Sequence, residues 1–267
     1  MRIDQLLVQR GLATTRSQAQ RLIASGVQWK TDGVWKRVAK NGDAVVPDAE
    51  IELLDQSEAR FVSRGGLKLE GALLRTGIAV AGQVCLDLGQ STGGFTDCLL
   101  QRGAAHVVGV DVGFGQLHEQ LRSDNRVTCI ERVNARQLGA DDLAVARVAL
   151  AALRNTGVGN EALFDLIVGD LSFVSQTLVL PAVVPLLKDG GAVLMLVKPQ
   201  FELQLGQVGK GGIVTDSSLY QIVEQRIRVA HAALGLRVQA FFASSIQGGD
   251  GNHEFFVYSI RQPEFKQ

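Results

Sequence analysis

Apolar residues near the N-terminus recur at helical spacing. Ile3, Leu6 and Leu7 form a short stripe closed by Gly11, and Thr14 and Thr15 stand as cap candidates before a second stripe over 16–25, closed by Gly26. Two short helices are expected there. Strand-like runs follow at 27–29, 45–46 and 51–54, separated by the turn signals Thr31-Asp32-Gly33 and Asn41-Gly42-Asp43. Residues 1–58 thus read as a small α+β module, with residues 59–267 as a second, larger domain.

From residue 60 the pattern changes to alternating strands and helices, which marks an α/β domain with a mostly parallel sheet. A helix is expected over 65–76, stopped by Gly77, and a strand over 84–88 leads into the loop G-Q-S-T-G-G. A helix over 95–102 ends at Gly103, and a strand over 105–110 runs into Asp111. Further strands at 126–130, 164–168, 192–197, 237–243 and 254–260 complete seven. The junction at 56–63 lacks the composition of a long flexible linker.

The length of 267 residues suits two domains, and 46% hydrophobic residues are enough to build a full core, which excludes intrinsic disorder. Formal charge balances at 27 basic against 27 acidic residues, but residues 1–40 hold eight bases against only Asp4 and Asp32. A local cationic surface is expected in the first module. Cys85, Cys98 and Cys129 are three in number without C-x-x-C spacing, so neither a disulfide framework nor a zinc site is supported, and a reducing cytoplasm is the expected setting. The N-terminal residues have no signal-peptide core. The longest apolar stretch, 178–187, carries Pro181 and Pro185 and falls well short of the roughly 20 residues that span a bilayer.

Candidate chemistry sits in the glycine loop and at the strand mouths. Gly89-Gln90-Ser91-Thr92-Gly93 matches G-x-S-x-G between a strand and a helix, the setting of a hydrolase nucleophile, with His253 downstream. The same glycines suit a nucleotide-type turn, in which backbone approaches a ligand closely. Asp111 lies 22 residues after Gly89, at the end of the next strand, where an acid hydrogen-bonds ribose hydroxyls. Ser91 replaces the second glycine of a dinucleotide loop, which favours S-adenosylmethionine, a ligand without phosphate. A purely structural glycine turn is the third reading. Lys68, Asp170, Lys198 and Glu254 fall at or beside strand ends around one expected crevice. Any one could be a cap or a solvated charge, but two lysines and two acids together can fix one another's position and charge.

Two resemblances sharpen this picture. The segment R-I-D-Q-L-L-V-Q-R-G-L-A-T-T-R-S-Q-A-Q-R-L-I-A-S-G-V-Q resembles the S4-type RNA-binding module, whose second helix and following turn meet RNA. Arg2, Arg16, Arg21, Lys30, Lys36 and Arg37 are the corresponding RNA-binding candidates. The motifs D-L-G-Q-S-T-G-G-F-T-D, V-D-V-G-F-G-Q-L, D-L-S-F-V-S, V-K-P-Q-F-E, G-K-G-G-I-V and G-N-H-E-F resemble the bacterial TlyA-like, hemolysin-type ribosomal RNA 2′-O-methyltransferases. That family joins an S4-type module to an FtsJ/RrmJ-like catalytic domain.

The resemblance implies a seven-stranded Rossmann-like sheet with the last strand antiparallel, S-adenosyl-L-methionine as cofactor, and ribosomal RNA, at cytidine, as substrate. It also implies a catalytic tetrad of Lys68, Asp170, Lys198 and Glu254. A ribose hydroxyl is a weak nucleophile, so Lys198 is expected as proton acceptor or oxyanion partner, with Lys68 opposing its charge and the two acids favouring it. Gly89, Ser91, Gly93 and Gly94 are expected around the methionine end of the donor, Asp111 at its ribose and Asn134 at its adenine. Gln90 departs from the small residue usual beside the donor. The glycine-rich segment 200–216, with Lys210, reads as a mobile substrate loop. Two other readings stand beside this one: a serine hydrolase on Ser91, and an RNA-binding or ribosome-assembly protein with a vestigial donor pocket. No amphipathic or spanning segment supports hemolysis.

Overall fold

The computed structural model describes residues 1–13, 15–31, 33–54, 60–139, 141–154, 164–248 and 251–263. Thr14, Asp32 and the expected boundary between residues 58 and 59 lie outside them. The chain forms two compact units, Met1–Leu67 and Lys68–Gln267.

In the first unit, α1 (Ile3–Gln9) and α2 (Arg16–Gly26) pack beside an antiparallel sheet of β1 (Val27–Thr31), β2 (Val34–Arg37) and β3 (Ile51–Leu53), in the order β2-β1-β3. Thr15 caps α2, its side chain accepting from the Gln18 N–H at 3.2 Å. Ile3, Leu6, Leu7, Ala19, Leu22, Ile23 and Val27 form the core. The strand expected at 45–46 is not formed. Ala44 makes only a single bridge with Arg2, Val45 enters the core, and exposed Val46 precedes Pro47, which has no N–H to continue a ladder. The strand is instead β2, exposed along its whole length, so it carries no in-out alternation to reveal it.

The second unit is built on a seven-stranded sheet. Its elements, in chain order, are α3 (Gly65–Thr76, which begins in the first unit), β4 (Val84–Leu88), α4 (Gly94–Gln101), β5 (His106–Asp111), α5 (Glu119–Arg122), β6 (Val127–Glu131) and α6 (Ala144–Arg154). Then follow β7 (Phe164–Gly169), α7 (Leu180–Val183), β8 (Leu187–Val197), α8 (Pro199–Glu202), α9 (Leu219–Ala232), β9 (Leu236–Ala243) and β10 (Phe255–Arg261). The order is β6-β5-β4-β7-β8-β10-β9, with β10 antiparallel to both neighbours. Glu254 therefore lies one residue before its strand rather than opening it. Both faces of the sheet are covered, so its central strands are nearly continuous apolar runs. Strand order reverses between β4 and β7. A crevice opens there beyond the carboxyl ends of the strands, where ligands of open α/β sheets sit. No helix among the described residues is long and apolar enough to cross a membrane.

Candidate active site

Polar residues interrupt the apolar strands at their carboxyl ends, and this places them around the crevice. Asp170 follows β7, Lys198 follows β8, Glu254 precedes β10, and Lys68 comes from the first turns of α3. The structure brings the four into one row of alternating charge. Lys198 Nζ lies 2.5 Å from Asp170 Oδ1, Asp170 Oδ2 lies 3.7 Å from Lys68 Nζ, and Lys68 Nζ lies 2.6 Å from Glu254 Oε2. Side-chain exposure is 3% at Glu254, 10% at Lys68, 23% at Asp170 and 12% at Lys198, so the row is largely buried and its most exposed member is Asp170. Neither Asp170 Oδ1 nor Glu254 Oε2 meets hydrogen-bond geometry, which makes these contacts ion pairs by proximity. Lys198 also donates to the Ser172 hydroxyl at 2.8 Å.

Beside the row lies a cavity of about 320 Å³, lined among others by Gly89, Ser91, Asp111, Asn134, Asp170, Ser172 and Phe173. Gly89 has a φ of +77°, and a Cβ there would stand 2.8 Å from the Asp170 carbonyl oxygen, so only glycine lets the β4 loop come this close to the tetrad. Asp111 organises the opposite wall, its two oxygens accepting from the Ser91 N–H at 2.7 Å and the Gly113 N–H at 2.6 Å. Asn134 lines the cavity and accepts from the Arg136 N–H through Oδ1 at 3.0 Å. Gly93 and Gly94 do not line the cavity. Gly93 is instead packed under Leu117 and Leu121 at the start of α4.

Gln90 also does not line the cavity. It is buried, donates to Thr96 Oγ1 at 2.9 Å, and fills the space that a Cβ on Gly109 of β5 would take. Thr96 in turn donates to Asp87 Oδ2 at 2.7 Å. Burial pushes the Asp87 carboxyl up to about 7, against the lowering effect of the Thr96 hydrogen bond. Ser91 has no histidine partner among the described residues, and His253 packs edge-on against Tyr220, so the parts of a serine nucleophile are not assembled.

Three residues of this region were not singled out from sequence. Ser172 holds Lys198, buried Glu202 accepts from the Ser175 hydroxyl and the Gln176 N–H, and Phe173, 90% exposed with a φ of +62°, stands at the cavity rim against Phe201. A bulky residue at positive φ is strained, and an aromatic ring left in solvent beside a cavity is a site signal that no sequence pattern carries.

The RNA-binding candidates divide between the units. Arg2 and Arg16 both pair with fully buried Asp4, at 3.0 and 2.9 Å, while about half of each arginine side chain stays exposed. The Arg2 hydrogen bond, reinforced by Arg16, holds the Asp4 carboxyl far below the usual range. Lys30 pairs with Glu50 and lies over Trp35, Arg21 is half-buried, and Lys36 and Arg37 are exposed. Arg37, Lys40 and Asn41 line a groove of about 470 Å³. Lys210 is exposed in the second unit.

A seven-stranded sheet of this order, with a cavity at its reversal point and a charged row on one wall, has the architecture of a Rossmann-like methyltransferase. The chain belongs to the FtsJ-like methyltransferase family, whose pattern matches residues 61–261, and residues 1–26 match the S4 domain. It is 44% identical over 265 residues to the 16S/23S rRNA (cytidine-2′-O)-methyltransferase TlyA of Mycobacterium tuberculosis, covering 98% of this chain and 91% of that one. Hemolysin A of Brachyspira hyodysenteriae is 35% identical over 97% of this chain and 100% of its own. Among solved structures, a "putative hemolysin" from Streptococcus thermophilus aligns with a TM-score of 0.71 at 38% identity, over 98% of this chain and 88% of that one.

Proposed function

We propose that this chain transfers a methyl group from S-adenosylmethionine to a ribose 2′-hydroxyl of ribosomal RNA, at cytidine as in the mycobacterial relative. The observation that carries the reading is the shared wall: Asp170 and Ser172 belong at once to the cavity and to the contacts of Lys198. The cavity fits the donor by its chemistry. Asp111 still has lone pairs to accept from ribose hydroxyls, the Ser91 loop offers polar groups to a carboxylate and amine, and Val112 and Val133 supply apolar walls for a flat base. Bound there, the donor supplies a methyl group already activated on a sulfonium.

The remaining work falls to the protein. An ammonium has three N–H donors, and on Lys198 one is given to Ser172 while the Asp170 carboxylate balances the charge, which leaves donors for an incoming oxygen. Lys198 is thus the partner of the substrate oxygen, orienting it and stabilising negative charge there as its proton passes to water. Lys68 and Glu254 hold Asp170 and the row behind it in place. Phe173 offers a face on which an unstacked base can lie, and the basic groove of the S4-type unit offers cations to RNA phosphates.

The test is tritiated methyl incorporation into ribosomal subunits lacking the modification, followed by nuclease digestion. Lys198→Ala is expected to lose about two or more orders of magnitude in rate with donor affinity nearly unchanged, whereas Ser91→Ala mainly raises the donor concentration required. Label on a base, or full activity of Lys198→Ala, rejects the reading.

A further inference from the structure

A buried carboxylate outside the tetrad ties together the two segments that carry Lys198 and Asp170. Lys198 is followed at once by the single turn of α8, and Glu202 is the last residue of that turn. Glu202 Oε1 accepts from the Gln176 backbone N–H at 2.9 Å and Oε2 from the Ser175 hydroxyl at 2.5 Å. These two donors open the 3₁₀ turn Gln176–Leu178, which ends the loop that Asp170 begins.

The loop 170–174 is therefore held at both ends. At its start the Asp170 N–H donates to the Leu88 carbonyl at 3.0 Å, and at its end stands Glu202. Arg226 of α9 fixes the α8 turn from the other side, donating to the Glu202 carbonyl. Inside this ring lie the Lys198 contacts to Asp170 and Ser172 and the contact of Phe173 with Phe201. A carboxylate in so short a turn could reach solvent without cost. Here it is buried and fully engaged, and burial pushes its carboxyl up against the pull of the two hydrogen bonds.

We infer that Glu202 is a positioning residue for methyl transfer: by clamping the Ser175 hydroxyl and the Gln176 N–H to the turn after Lys198, it fixes the Lys198 ammonium against Asp170 and Ser172. The inference rests on the reaction assigned above. Because misplacing a reacting group by a fraction of its contact distance slows a reaction steeply, Glu202→Ala is expected to lower the single-turnover rate about 10- to 100-fold and to leave donor affinity within about twofold. Glu202→Gln should keep the rate within about threefold of wild type, since its amide oxygen still accepts from Gln176 and its NH₂ can meet Ser175. In a Lys198→Ala background Glu202→Ala should cause no further loss, because the clamp acts through that lysine.

An unchanged rate in Glu202→Ala, an equal loss in Glu202→Gln, or a further loss in the Lys198→Ala background each overturns the clamp. Should the alanine variant fail to fold, Ser175→Ala opens the same clamp from the loop side and is judged by the same outcomes. The clamp is also read without chemistry, as protection of the Gln176 amide from hydrogen exchange in the full chain. That protection is expected to fall in Glu202→Ala or Ser175→Ala, and unchanged protection overturns the clamp. Wild-type protein that leaves RNA unmethylated would instead overturn the assigned reaction, while the exchange measurement still judges the clamp.

Discussion

Removing Lys68 isolates a buried charge, and the size of the effect follows from the geometry. Its Nζ is 2.6 Å from Glu254 Oε2, with both side chains at most 10% exposed. At an effective dielectric near 20 the attraction is about 6 kcal/mol, but taking two ions out of water costs several kcal/mol each, so the intact pair is worth little net stability. Breaking it is different. Lys68→Met leaves Glu254 without its cation, and loss of one partner of a buried pair costs roughly 3–5 kcal/mol. Asp170 retains Lys198 and adds little to the loss. Lys68→Met combined with Glu254→Leu removes both charges and should return stability to within about 1 kcal/mol of wild type, since apolar replacement of a whole buried pair is near neutral. Neither variant should recover methyl transfer. Urea denaturation separates the effects: Trp29 and Trp35, the two tryptophans of the chain, both lie in the first unit, so fluorescence reports that unit while far-UV dichroism follows mainly the larger one. The dichroism transition of the single variant should shift to lower urea. A single variant as stable as wild type, or a double variant that loses the sum of both single losses, would refute the buried pairing.

Two further outcomes test the core beneath the cavity. Gly109→Ala would set a Cβ 2.0 Å from the Gln90 amide and should cost roughly 1–3 kcal/mol, with Gln90→Ala relieving it so that the double variant loses at least about 1 kcal/mol less than the sum of the single losses; additive losses in chemical denaturation would contradict the contact. Asp87 has an ordinary carboxyl value of 3.8 when unfolded and about 7 when folded, so between these the native state holds one more proton and wild-type stability falls as pH rises. Asp87→Asn should therefore gain on wild type from pH 4 to pH 7, and an equal difference at pH 5 and pH 8 would show that burial does not hold the proton.

The second unit was legible because physical constraints write themselves into its sequence. Strands buried on both faces must be apolar throughout, so a charge where such a run ends or begins marks the mouth of the crevice, and Asp170 after β7, Lys198 after β8 and Glu254 before β10 were found that way. Lys68 follows no such run: its place just before the first strand of the sheet singled it out, and the family resemblance gave it a role. What escaped depends on contacts distant in sequence. Gln90 read as a neighbour of the donor because it stands in the glycine loop, but Gly109 on the adjacent strand leaves a space that draws the side chain inward. Glu202 sits four residues after Lys198, and nothing in V-K-P-Q-F-E shows that residues 175–176 lie close enough to bury it. In the first unit β2 escaped because a strand with both faces exposed has no periodic signature.

The direction of the charged row explains why four residues serve where a single ammonium meets substrate. Two lysines and two acids alternate, so the row is neutral as a whole and can be buried without a surrounding field. Its inner end, at Glu254 and Lys68, is closed to solvent, so a change there is felt mainly as lost stability. Its outer end, at Lys198, is balanced by Asp170 and held by Ser172, both of which line the cavity, so a change there is felt mainly in the rate. Asp170 joins both regimes, as its two oxygens face the two lysines separately. A lone lysine at the mouth of β8 would be free to sample rotamers and to recruit solvent anions. Coupled through Asp170 to a buried pair, it is held in one orientation beside the cavity wall that Asp170 and Ser172 form, which is the arrangement that a weak hydroxyl nucleophile requires.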